Sequence, residues 1–251
     1  MVTDSTLTES QSVVPYRKKV LSTMPAKIDR KSAKKHKKIK PATKKEIEEI
    51  KALFLEHYPD SVTELSYRSL YELLVSVMLS AQCTDKRVNL ITPALFEAFP
   101  TPADLANADL EEVKLFIKSC SFFNNKAKNL IKMAQSVMEN YDGEIPLSQE
   151  ELVKLAGVGQ KTANVVMIEY TGANLMAVDT HVFRVAHRLG LSSATTAVKT
   201  EEELSRKFKT DLHLLHQAMV LFGRYICKSV KPDCDNCFLR EYCRIKEGFK
   251  V

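Results

Sequence analysis

The sequence predicts an all-α fold. Apolar residues recur at three- and four-residue spacing over most of the chain beyond residue 45, helix-start signals stand ahead of those runs, and no stretch shows sustained strand alternation. In chain order, Ile47, Ile50, Leu53 and Phe54 mark an amphipathic helix that Pro59 ends. Leu70, Leu73, Leu74 and Val77 form the next stripe, and Thr84 reads as the cap of the helix after it. Thr101-Pro102 with Asp104 has the form of another start. A longer stripe follows at Ala127, Leu130, Ile131, Ala134 and Met138. Ser148 with Glu151 then caps a helix expected to end near Leu155, and a new helix is expected near Gln160. Val182, Val185, Ala186 and Leu189, a cap at Thr200 with Glu203, and Leu215, Ala218, Met219 and Phe222 complete the pattern. These stripes are core, and no ligand is assigned to them.

A chain of 251 residues can bury one large core or two smaller ones. Its formal charge of +6 is unevenly placed. Residues 1–45 hold 13 Lys or Arg against Asp4, Glu9 and Asp29, a net +10, so the remainder carries −4. Such a basic tail is most often a solvated, disordered arm, and such an arm can also tether nucleic acid by counterion release. No apolar run approaches a membrane span, and no secretory signal is evident at the N-terminus. The expectation is a cytoplasmic protein whose six cysteines stay reduced.

Four of those cysteines stand close together: Cys227, Cys234, Cys237 and Cys243, spaced C-x6-C-x2-C-x5-C. Four thiolates can close around one inorganic centre. A zinc ribbon usually repeats a close C-x2-C pair or adds histidines, and here there is one such pair and no histidine after Cys227. The spacing suits a cubane [4Fe–4S] cluster and leaves zinc open. Cys83 and Cys120 lie elsewhere and read as small buried hydrophobes.

Glycine is scarce, yet Gly157 and Gly159 share one turn, within Leu155-Ala156-Gly157-Val158-Gly159-Gln160-Lys161-Thr162-Ala163-Asn164. This reads as a helix-hairpin-helix, whose backbone N–H groups can cradle a phosphate, or as a plain αα corner. Lys161 falls in the first turn of the second helix, where the dipole disfavours an ammonium. Partial burial would lower its pKa further and give a nucleophilic amine; an exposed, protonated lysine would contact phosphate instead. Eighteen residues on, in Ala177-Val178-Asp179-Thr180-His181-Val182, Asp179 is placed as a helix N-cap. A carboxylate held there is also rigid enough to stabilise a developing cation.

Taken together, L-x-G-V-G-x-K-T-A-N-V-V, A-V-D-T-H-V-F-R-V, S-A-Q-C-T-D and the cysteine spacing make the chain resemble endonuclease III, the iron–sulfur branch of the helix-hairpin-helix DNA glycosylases. The resemblance runs from about Glu46 to Val251. It implies a two-domain fold: a six-helix bundle over residues 63–173, and a [4Fe–4S] cluster domain joining 46–62 to 174–251, with the tail 1–45 outside both. It implies double-stranded DNA carrying damaged bases or abasic sites as partner, bound by a monomer, and no membrane. A flipped, oxidised pyrimidine would enter the cleft between the domains. Lys161 would attack C1′, expel the base and form an imine, and β-elimination would then cut the strand 3′ to the site. Asp179 would stabilise the oxocarbenium-like transition state. Gln82, Phe122, Gly157, Val158, Gly159 and His181 would contact DNA, Gln82 filling the vacated space and Phe122 wedging between bases. Cys227, Cys234, Cys237 and Cys243 would hold the cluster, bracing a loop from which Lys228, Lys231 and Arg240 reach phosphates.

Two positions depart from the family pattern: Ser121 and Ala156 stand where glycine and proline are usual. An adenine-specific mismatch glycosylase would carry serine at position 161 and a further C-terminal domain. A DNA-binding module without catalysis would have no need of the Lys161–Asp179 pair.

Overall fold

The computed structural model describes residues 39–245. The first 38 residues of the basic segment 1–45, and Gly248 beyond the cysteines, lie outside them. The last residues of that segment belong to the fold: Ala42 N–H donates to Gly190 O (2.9 Å), and Lys44 and Lys45 open the first helix.

All regular structure among the described residues is helical. Helix α1 (Lys44–His57) starts in a capping box between Thr43 and Glu46. Helix α2 (Leu70–Ser80) is capped by Ser69 and buries nine of its eleven residues, Tyr71 to Leu79. A helix apolar on all sides must be enclosed by others. Around it lie α3 (Asp85–Ala98), α4 (Pro102–Ala106), α5 (Leu110–Ile117), α6 (Phe123–Asn140), the single turn α7 (Gln149–Leu152) and α8 (Gln160–Thr171). Their apolar faces form one buried cluster from Leu65 to Val166. Cutting a fully enclosed side chain such as Leu74 back to alanine costs about 2–5 kcal/mol in such a setting.

A second cluster joins Ile47, Ile50 and Phe54 of α1 to residues between Met176 and Leu239. It is built from α9 (Thr180–Arg188), α10 (Ala197–Phe208) and α11 (Leu212–Tyr225), with a short 3-10 turn at Arg240–Tyr242. At its centre Phe54 meets Phe222 edge-on, with ring centroids 5.5 Å apart. The chain therefore enters this cluster, leaves it to build the first, and returns.

Two local expectations are corrected. The cap expected at Thr200 lies four residues earlier: Thr196 accepts from Lys199 N–H, while Thr200 is fully buried inside α10. The helix before the glycine turn ends at Leu152, and residues 153–156 continue as turns. No helix among the described residues is long and apolar enough to cross a membrane.

Candidate active site and cysteine pocket

Lys161 and Asp179 line one cleft of about 870 Å³, together with Gln82, Cys83, Asp85, Thr180, His181, Arg224 and Tyr225. Each wall comes from a different cluster.

The Lys161 wall is the glycine turn. Gly157 holds φ +78°, which an L side chain rarely adopts, and an added Cβ would stand 2.8 Å from Asn129 Cβ. Both space and torsion require glycine there. Gly159 differs: it caps α8 in extended backbone at φ −89°, with nothing within 4 Å of an added Cβ. Val158 is buried, and its N–H donates to Leu155 O (3.1 Å), which removes this group from the expected phosphate cradle. The N–H groups opening α8 face no carbonyl one turn earlier and are the ones left available for an anion. Lys161 stands in this first turn and is exposed. The partial burial weighed for it is absent.

The Asp179 wall is fixed from several sides. Asp179 caps α9, its Oδ1 accepting from the N–H groups of His181 and Val182, both at 2.8 Å. Oδ2 takes no bond among the described residues. Behind it His216, fully buried in α11, bonds through Nδ1 to Ala177 O (2.8 Å). Carbonyls only accept, so Nδ1 carries the proton. Burial pushes the His216 pKa down to about 4; the Asp179 charge resists that shift and the Lys161 charge reinforces it. His181 Nδ1 lies 3.1 Å from Arg184 Nη2, and Gly223 of α11 leaves the room this needs: an added Cβ would come within 2.9 Å of His181 Cβ.

Sequence reasoning missed the residues that join the walls. Arg224, at the end of α11, ion-pairs with Asp85 of α3 (2.8 Å) and with Glu64, and Tyr225 OH donates to Glu64 as well. These partners lie 139 to 161 residues apart, so no local pattern signals them. A polar Gly-Arg-Tyr closing the apolar run 218–222 was the one available cue.

Gln82 and Phe122 both adopt left-handed backbone, at φ 54° and 57°. Bulky residues take this conformation only where their surroundings impose it. Phe122 is 63% exposed, which excludes the core role weighed for it. Lys126 braces the Gln82 turn, its Nζ donating to Leu79 O and Ala81 O at 2.7 Å each.

Away from the cleft, Cys227, Cys234, Cys237 and Cys243 line a single pocket with Arg188 and Arg240, and all four thiols are free of disulfides. Burial pushes the Cys237 thiol up to about 11, and the three neighbouring sulfurs add to the shift. Four thiolates in so tight a space need a positive centre among them. Arg188 Nη1 approaches Cys227 Sγ at 3.2 Å and also donates to the carbonyls of Cys227 and Lys228. Arg184 reaches Cys227 O from the same helix (2.9 Å). No group of three or more Cys, His, Asp or Glu among the described residues is disposed to hold a single metal ion. Four thiols lining one pocket are a donor set that fits a thiolate-bound centre. Of the basic residues beside them, Lys228 and Lys231 are exposed, whereas Arg240 is paired with Asp235 (2.8 Å).

Residues 75–210 match the HhH-GPD superfamily of base excision DNA repair proteins. Endonuclease III of Rickettsia conorii is 46% identical over 198 residues, 78% of this chain and 94% of the relative. The chain belongs to the endonuclease III family. The Escherichia coli K12 member is 39% identical over 207 residues, 81% of this chain and 97% of its own length. A solved structure of a trapped endonuclease III–DNA covalent intermediate superposes with a TM-score of 0.78 at 41% identity, covering 81% of this chain and 96% of that one. A thermostable thymine-DNA glycosylase shares the fold at 22% identity and a TM-score of 0.72.

Proposed function

We propose that this endonuclease III family member, a base excision repair glycosylase and abasic-site lyase, removes oxidised pyrimidines from duplex DNA with Lys161 as nucleophile and Asp179 as electrostatic partner. The observation that carries this reading is one cleft lined by both an unpaired lysine at a helix start and a carboxylate pinned at another. Trapping of a covalent intermediate with DNA in the solved relative is the chemistry such a lysine would perform.

In this reading the work is divided between a bundle over 63–173 and a second domain from 46–62 and 174–251. Duplex DNA lies across the cleft, with one phosphate on the N–H groups around Gly159 and the start of α8. The damaged nucleotide leaves the stack and enters the cleft, Gln82 fills its place and Phe122 wedges beside it. His181 lies beside Asp179 and meets the backbone of the flipped nucleotide. The deprotonated Lys161 amine attacks C1′ as the base departs. Asp179, held on Oδ1 and open on Oδ2, stabilises the positive charge developing on the sugar. The resulting imine acidifies the sugar C2′ proton, and β-elimination cuts the strand 3′ to the site.

Cys227, Cys234, Cys237 and Cys243 hold a [4Fe–4S] cluster. When bound it supplies a rigid covalent cross-link for residues 227–243. Arg184 and Arg188 tie that segment to the helix Asp179 caps. Lys228 and Lys231 stand free to meet phosphates, and the protein acts as a cytoplasmic, DNA-associated monomer.

Borohydride trapping on a duplex with one abasic site, beside one carrying thymine glycol, tests the reading. A covalent adduct that vanishes in Lys161→Gln, with duplex affinity retained, is expected. Base release without any adduct would make the protein a monofunctional glycosylase and remove Lys161 from the chemistry.

A further inference from the structure

Two cysteines remain unused by this chemistry. Cys83 lies in the turn after α2, half-buried on the cleft, its N–H donating to Ser80 O (3.0 Å). Cys120 closes the turn after α5 and is 3% exposed. Thirty-seven residues apart in sequence, the two side chains are in S–H···S contact, Cys83 Sγ to Cys120 Sγ at 3.5 Å, and neither is in a disulfide. The ammonium of Lys126, fixed on the carbonyls of Leu79 and Ala81, acts electrostatically on both thiols, and Arg87 acts on Cys120. A partly exposed thiol beside fixed positive charge, with a second thiol in reach, is the environment of a reactive cysteine and its resolving partner.

We propose that Cys83 and Cys120 form a peroxide-reactive dithiol site that closes to a disulfide and ties the Gln82 turn to the Phe122 turn. The Cys83 thiolate attacks one peroxide oxygen: the S–O bond forms, the O–O bond breaks, and hydroxide leaves as water with the proton Cys83 released. The Cys120 sulfur then attacks the sulfenic sulfur of Cys83. The S–S bond forms, the S–O bond breaks, and a second water leaves with the Cys120 proton. Two thiols and one hydrogen peroxide give one disulfide and two waters. Cys83 is the attacking member because it faces the cleft; burial, reinforced by Cys83, pushes the Cys120 thiol up to about 11 and keeps it protonated at rest.

A disulfide needs its sulfurs about 2.05 Å apart, so closure draws the two sulfurs about 1.5 Å closer and pulls on the turns that carry them. Each turn carries a residue in left-handed backbone, Gln82 beside Cys83 and Phe122 two residues beyond Cys120. The oxidised form therefore presents both side chains to DNA in a changed register. That consequence rests on the DNA contacts proposed above; the dithiol chemistry does not.

The test treats the full-length, cluster-loaded protein with one to a few equivalents of hydrogen peroxide, following cluster absorbance throughout. Peptides are then mapped without reductant. A linked Cys83–Cys120 peptide, about 2 Da lighter than its two parts, restored by dithiothreitol and absent in Cys120→Ala, is expected. Finding no linked peptide, only sulfinic acid at Cys83, or Cys83 joined to one of the four pocket cysteines overturns the site. Oxidised wild type should bind an abasic-analogue duplex about tenfold more weakly, with treated Cys120→Ala unchanged. Linkage without loss of affinity leaves the dithiol standing and overturns its coupling to DNA binding.

Discussion

The two walls of the cleft are built to opposite standards of order. On one side Lys161 is exposed at a helix start whose cap offers no side-chain bond. On the other, Asp179 has one oxygen fixed by two N–H groups, a buried histidine holding the carbonyl two residues before it, and an arginine-tied helix leading away. The difference suits the roles proposed above for the two groups. A nucleophile travels, because it bonds to a sugar that arrives from outside. A carboxylate opposite a developing cation works by being already in place, so that no reorganisation is spent during reaction.

The sharpest way to break this comparison is Asp179→Asn. Asparagine keeps the cap, so stability should change little, while base excision falls roughly 100- to 1,000-fold. Asp179→Ala should lose the same activity and also about 1 kcal/mol of stability, read by urea unfolding. Equal unfolding midpoints for the two variants would mean the cap holds nothing.

Next in size is the glycine pair of the opposite wall. Gly157→Ala meets both a left-handed torsion and Asn129, and should cost about 2 kcal/mol. Gly159→Ala meets neither, and should fold normally but bind duplex more weakly. If Gly159→Ala binds as wild type, the phosphate does not approach there.

His216 gives a smaller effect with a definite sign. Its folded pKa of about 4 lies below the ordinary 6.5, so between these values the unfolded chain takes up a proton that the native protein refuses. Stability from this residue is whole above pH 6.5 and falls by about 1.4 kcal/mol per unit as pH drops towards 4. His216→Asn can still donate to Ala177 O, yet should unfold with a flatter pH dependence in that window. The smallest expected change is in Phe122→Ala. Loss of an exposed ring should alter stability by less than about 0.5 kcal/mol while weakening duplex binding.

How much of this was legible depended on whether the cause was local. The period of Leu70 to Val77, the cap at Asp179 and the need for glycine at 157 are all set by neighbours within a few residues. Thr200 misled because Thr-x-x-Glu is a sound cap signal; here that threonine is turned inward, bonding Ser192 Oγ (3.4 Å), and Thr196 takes the role. Arg224 with Glu64 and Asp85, the thiols of Cys83 and Cys120, and His216 under Ala177 are contacts between residues 37 to 160 positions apart. Nothing near any of them in sequence announces the partner. The left-handed turns at Gln82 and Phe122 were hidden for the related reason that neither residue favours that torsion by itself.

Helix α1, laid down early, is buried against α11, which is made more than 150 residues later. At ribosomal speeds of roughly 5–20 residues per second, Ile50 and Phe54 stay uncovered for about 10 to 30 s while the first cluster can already close. During that interval the nascent chain carries a finished Lys161 wall and no Asp179 wall. The cleft is whole only once α11 has returned to α1.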